Sequence, residues 1–368
     1  MLYYLAQFQD IYGPLRLFRF VTFRSAGALF TAMILTLLLG PLTVRLLKKF
    51  NTAAPSRHEG LIPDEFIDKS KEKTPSMGGL LIVGAITVSA VLWGNPENFY
   101  LLIFLVTLIA LAAVGFLDDF RKVVYKDKGG LSGKLKLLFQ LVIAGGAIFA
   151  LLAMPTTNDI MMTLMVPFIK EPVLTGITGA VCAIIIGVLA VMGSSNAVNL
   201  TDGKDGLAVG CMIFCSLAYA AFAYLTGHKF LAGYLHIPYI SGAGEVTIFA
   251  AATAGACLGF LWHNCQPASM FMGDTGSLAL GGTIGLIAVF VKQEFTLVLV
   301  GGVFVIEALS VIIQVTYFKL SGGKRIFLCT PIHHHFERKG WKETQIVVRF
   351  WIISGILALA AIATLKIR

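Results

Sequence analysis

The chain has 368 residues, 57% of them hydrophobic and only 13% charged, with a mean hydropathy of +0.82. Soluble domains carry roughly 25% charged residues, which argues against a soluble globule. The formal charge of +9 argues little for nucleic acid, since basic residues in so apolar a chain serve as loop anchors that set membrane topology.

Residues 1–25 mix Arg16 and Arg19 with Leu, Phe and Val, the composition of a segment lying in the membrane interface. Ten apolar blocks follow in chain order, at 26–44, 77–93, 99–117, 137–154, 173–192, 207–226, 246–262, 277–291, 295–318 and 346–365. Most are long enough to cross a hydrocarbon core of roughly 30 Å. They lack the alternation of barrel strands, so the fold class expected is an all-α integral membrane protein of about ten transmembrane helices in a single domain. Twenty of the 29 Lys and Arg fall in the loops 45–76, 118–136, 194–206, 263–276 and 319–344, against eight on the other side. Positive loops stay inside, so these five are expected to be cytoplasmic and both termini periplasmic. No disulfide framework or zinc site is indicated, because the six cysteines show no C-x-x-C spacing.

Carboxylates are costly in a bilayer, and here the clustered ones lie in the loops expected to be cytoplasmic. Asp118 and Asp119 end the third span; such neighbours repel, and either a bound cation or a proton relay would explain them, as would the solvated end of a helix. In NAVNLTDGKDGLA, Asn199, Asp202 and Asp205 share a Gly-rich turn suited to a polar ligand or to capping the next helix. Asp274 in FMGDTGS follows Asn264 and Phe271 in a loop without Lys or Arg, so a metal cation is its natural partner unless it only caps a helix. PIHHHFER offers His333, His334 and His335 for phosphates rather than zinc, or for a purely structural role. Lys71 and Lys134 are the basic residues best placed in sequence to meet a phosphate, and Glu307 is the lone mid-span carboxylate, a functional candidate by default or a hydrogen-bonding group within the bundle.

Taken together, LDDF at 117–120, NAVNLTDGKDGLA, FMGDTGSLALGG and PIHHHFE resemble the phospho-N-acetylmuramoyl-pentapeptide transferase family, within the superfamily of polyprenyl-phosphate N-acetylhexosamine-1-phosphate transferases. The resemblance covers nearly the whole chain. One departure is the first cytoplasmic loop, where the family's usual GTPTMGG is replaced by KTPSMGG after an extended 59–70 stretch. The resemblance implies ten helices, a homodimer in the bacterial inner membrane, Mg2+, and transfer of phospho-MurNAc-pentapeptide from UDP-MurNAc-pentapeptide to undecaprenyl phosphate. It also implies that Asp118 and Asp119 are catalytic and Asp274 the magnesium ligand. Asn199, Asp202, Asp205, Asn264 and Phe271 would form the nucleotide pocket, while Lys71, Lys134 and the three histidines would engage phosphates or sugar. A sister transferase acting on N-acetylglucosamine phosphate and a membrane transporter are the rival readings. PIHHHFE speaks against the first, and the surface placement of the carboxylates speaks against the second.

Overall fold

In the computed structural model, residues 1–50, 74–125 and 129–366 are described; Lys71 and most of the first basic loop lie outside them. Two short 3-10 helices, Leu2–Phe8 and Gly13–Arg19, lead into α1 (Val21–Lys49). Then follow α2 (Gly79–Trp93), α3 (Phe99–Val124), α4 (Gly133–Leu152), the single turn α5 (Asn158–Met161), α6 (Gly176–Thr201) and α7 (Leu207–Thr226). The remainder comprises α8 (Lys229–Leu235), α9 (Gly244–Asn264), α10 (Gly273–Phe290), α11 (Leu297–Val300), α12 (Gly302–Leu320), α13 (Ile332–Arg338) and α14 (Glu343–Ala363). Among the described residues there is no strand, only an isolated bridge between Leu164 and Leu174.

Nine of the described helices are long and apolar enough to span a membrane, which makes the chain a multi-pass membrane protein. The 15-residue α2 coincides with the second expected span and is shorter than that threshold. Asn98 caps α3, its side chain accepting from the N–H groups of Tyr100 and Leu101, and Ser132 caps α4 in the same way. Two expected boundaries move. The sixth helix runs on to Thr201, through residues read as loop, because Asn196 and Asn199 find partners on neighbouring helices. The span expected at 295–318 is broken at Gly301, a residue with weak helix propensity, into α11 and α12.

Helix α10 is the axis of the bundle. All of its residues are buried, and it packs against α3 and α6. Small residues allow the approach, as in other membrane bundles. A Cβ on Gly281 would stand 2.8 Å from Ser195 Cα on α6, and one on Gly115 of α3 would stand 2.6 Å from Thr275 Cα. Helices α1, α4, α6, α12 and α14 instead turn large apolar side chains outward, including Leu38, Phe149, Ile177, Ile312 and Leu359, as lipid-facing helices do. The site-bearing end of α3 and the start of α10 are therefore fixed by close backbone packing.

Candidate active site

Helix α3 does not stop at the aspartates. It continues to Val124, and because successive helical positions differ by about 100°, Asp118 and Asp119 face different neighbours. Asp119 accepts from the backbone N–H groups of Asp274 (3.1 Å) and Thr275 (2.9 Å) and from the Thr275 hydroxyl (2.7 Å). These N–H groups begin α10, where no intrahelical partner exists and negative charge is favoured. Asp119 thus caps α10 from a neighbouring helix and fixes the position of Asp274. The turn into α10 is made by Gly273 at φ 75°, where a Cβ would lie 2.7 Å from Asp119 Oδ2.

Asp118 looks the other way. Its Oδ1 accepts from Leu131 N–H at 2.7 Å, and its Oδ2 pairs with Lys122 and, at 2.8 Å, with Lys136. Both ammonium groups also lie 2.9 Å from Asp274 Oδ2. The other Asp274 oxygen accepts from the Asn199 amide at 2.8 Å, which donates equally to Ser277 Oγ. All three aspartates are buried, while the lysines retain some exposure. Among the described residues three carboxylates face two ammonium groups, in a place where burial strengthens every electrostatic interaction.

One oxygen from each of Asp118, Asp119 and Asp274 lies within 4.8 Å of the others, so the cluster has the geometry to hold a metal ion. An all-oxygen set suits a hard cation rather than a thiophilic one. Asp119 is engaged by the start of α10 itself, whereas Asp118 and Asp274 share the ammonium groups of Lys122 and Lys136.

The remaining candidates surround this cluster in a frame of loops. Asp202 follows α6 directly and is half-buried. Asp205 is buried, accepts from Ala268 N–H and donates its own N–H to Glu343. Asn264 uses its amide as a brace, accepting from Gly206 N–H at 3.0 Å and donating to Met270 O at 2.9 Å. Phe271 is half-buried and joined by backbone hydrogen bonds to Pro75 and Gly78, which stitches the segment after the first loop onto the FMGDTG turn. Lys134 is exposed and outside the cluster. Two helical positions turn by about 200°, so Lys134 and Lys136 face opposite ways and Lys136 is the one that reaches the aspartates.

The three histidines part company. His333 is buried with Nδ1 3.0 Å from Glu307 Oε2, His334 Nδ1 lies 3.0 Å from Glu337 Oε2, and His335 Nδ1 accepts from Leu328 N–H. Lys204, in the turn after α6, closes the frame with a 2.5 Å bond to Glu337 Oε1. Burial pushes the His334 imidazole below its ordinary pKa, against the pull of Glu337. Burial acts upward on Glu337, yet its bonds from His334 and Lys204 prevail and bring that carboxyl down to about 2.

The profile of glycosyl transferase family 4 matches residues 101–292, and a phospho-N-acetylmuramoyl-pentapeptide-transferase signature matches residues 71–83. The chain is 48% identical over 369 residues to the phospho-N-acetylmuramoyl-pentapeptide-transferase of Methylacidiphilum infernorum, covering all of both chains. It is 49% identical over 371 residues to that of Neisseria meningitidis serogroup A, again end to end, and 49% identical to that of Desulfotalea psychrophila over 97% of each. The chain belongs to the phospho-N-acetylmuramoyl-pentapeptide-transferase family. The family profile spans every member of the aspartate cluster, and the signature spans the segment stitched to Phe271. Sequence reasoning missed Lys122, Lys136, Thr275, Ser277, Lys204 and Glu337. Lys122 and Glu337 carried local signals, lying four residues after Asp118 and three after His334 on the same helical faces. Lys136, Thr275, Ser277 and Lys204 meet their site partners across segments far apart in the chain.

Proposed function

We propose that this enzyme transfers phospho-MurNAc-pentapeptide from UDP-MurNAc-pentapeptide to undecaprenyl phosphate, giving lipid I and UMP. The observation that carries the reading is the buried cluster of three aspartates and two lysines, on membrane-spanning helices of a chain whose full-length relatives bear that enzyme's name. The lipid phosphate oxygen attacks the β-phosphorus, and the bond from that phosphorus to the bridging oxygen breaks as UMP leaves. Asp118 accepts the proton if the attacking phosphate carries one. Lys122 and Lys136, which now share Asp118 and Asp274, are the cations placed to meet diphosphate oxygens as they arrive. Asp119 and Asn199 hold Asp274 in place.

Magnesium is the ion we assign to the cluster, held by Asp274 and Asp118; when bound it neutralises charge developing on the transferred phosphoryl group. Phe271 and Asp205 are assigned to the uracil, Asp202, Asn199 and Asn264 to the rest of the nucleotide pocket, and His334 and His335 with Lys71 to the substrate phosphates or sugar. The excess of basic residues in the site-bearing loops favours a cytoplasmic active site with both termini periplasmic, and α2 as a tenth crossing. A homodimer in the bacterial inner membrane completes the proposal.

The test is release of UMP and formation of a lipid-linked product by purified protein given undecaprenyl phosphate and UDP-MurNAc-pentapeptide, with and without Mg2+. Magnesium-dependent product is the expected result. Product from UDP-N-acetylglucosamine alone would move the chain to the sister transferase, and no product from either donor would sink the assignment.

A further inference from the structure

Glu307 is fully buried in α12 and takes no part in the aspartate cluster, yet the loop after α12 folds back along that helix to reach it. Backbone N–H groups of Ile326 (3.1 Å) and Phe327 (2.9 Å) donate to Gln314 Oε1. Farther along the loop, His333 places Nδ1 3.0 Å and its backbone N–H 3.5 Å from Glu307 Oε2. Gln314 and Glu307 are seven positions apart, nearly two full turns, so they form two rungs on one face of α12. The histidine segment runs antiparallel along those rungs.

A carboxylate buried this deeply needs a hydrogen-bonding partner, and the bond it makes also decides how the imidazole stands. With Nδ1–H given to Glu307, the opposite edge of the ring is committed to one direction. That edge faces the turn after α6: a Cβ on Gly203 would be 2.7 Å from His333 Nε2. Among the described residues Nε2 has no hydrogen-bond partner, although it is buried. The neighbouring ring of His334, centred 4.2 Å away, leans on His333 and is itself tied through Glu337 to Lys204 in that turn. The orientation of His333 is therefore transmitted to the turn that carries Asp202, Lys204 and Asp205.

We propose that Glu307 is a positioning residue acting through His333: it holds Nδ1–H and so presents Nε2 to the 202–206 turn, where a bound nucleotide sugar offers hydroxyl and phosphate oxygens. The placement of the nucleotide sugar rests on the proposed function; the Glu307–His333 coupling does not. Full-length protein labelled with 15N-histidine reads the coupling directly, with H333Q identifying the signal. Wild type is expected to show a hydrogen-bonded, downfield Nδ1–H for His333. E307M is expected to abolish it, and E307Q, whose amide oxygen still accepts, to keep it at a shifted position. In turnover, E307M and H333Q should each lower kcat/KM about 10- to 100-fold, the range typical when the carboxylate behind a functional histidine is removed. The double variant should fall no further than H333Q alone, and E307Q should recover part of the loss. An unchanged His333 Nδ1–H in E307M or E307Q, or a double variant whose loss is the product of the single losses, overturns the proposal. A normal spectral response in protein that makes no lipid-linked product removes the assigned reaction and leaves the positioning role standing.

Discussion

Two of the buried acid–base sites in this bundle are built on opposite principles. At the start of α9, Arg24 and Glu245 meet one to one through two bonds of 2.6 and 2.8 Å, and Glu245 also accepts from Asn95 N–H. In the cluster of α3, α4 and α10, three carboxylates share two lysines among the described residues. A charge-balanced bidentate pair is a fastener between helices. A cluster whose lysines each bridge two carboxylates can exchange those partners for an incoming cation or phosphate. Burial alone does not distinguish them; the sharing of partners does.

Substitution should separate the two most sharply. Asp274→Asn is expected to lower kcat about 1,000-fold, within the range for losing a group that stabilises transition-state charge, while the thermal unfolding midpoint changes little. Glu245→Gln should do the reverse. Leaving Arg24 buried without its counter-charge costs roughly 3–5 kcal/mol, read as a lower unfolding midpoint, whereas the folded fraction keeps its turnover. Equal effects of both variants on activity would erase the distinction.

The contrast sharpens within the cluster itself. Lys136→Met should reduce kcat/KM about 100-fold, and Lys134→Met, on the exposed face of the same helix, should leave it near wild type. The same assay under identical lipid conditions checks both. A larger loss at Lys134 would mean that the diphosphate approaches from the other side of α4.

The smallest effect belongs to the loop frame. Glu337 titrates at about 2 in the folded chain, below the ordinary carboxylate value of 4.5, so its bonds to Lys204 and His334 stabilise the fold above pH 4.5 and are lost as pH falls toward 2. His334, whose folded pKa is lowered, prefers to remain neutral, so protonation also disfavours the frame as pH drops through 6.5. Unfolding midpoints of wild type and Glu337→Gln should therefore differ at pH 6 and converge as pH falls from 4.5 toward 2. A difference that holds constant over that range would show that Glu337 contributes through packing alone.

Most of the helices were legible because apolar length is a local property, as was the clustering of carboxylates in the loops expected to be cytoplasmic. The fate of individual polar residues was not. Asn199 was readable only as part of a loop, since its helical state depends on Asp274 and Ser277, about 75 residues away in the chain. Nothing near Glu245 in sequence announces Arg24, which lies 221 positions away in the chain. Glu307 read as an isolated mid-span charge, and its partner proved to be one of the histidines that had seemed to belong together. Tandem residues in the short α13 point in different directions, so the triplet serves three neighbours rather than one ligand.

Composition and hydropathy by themselves determined that this chain is a helical membrane protein, and its four motifs determined its family, because both depend on which residues occur and in what order. Only the tertiary structure decided that Asp119 caps α10 while Asp118 and Asp274 share two lysines, and that Lys136 rather than Lys134 is one of them. The direction of a side chain on a helix is set by about 100° per residue, but what it meets there is set by how the helices pack.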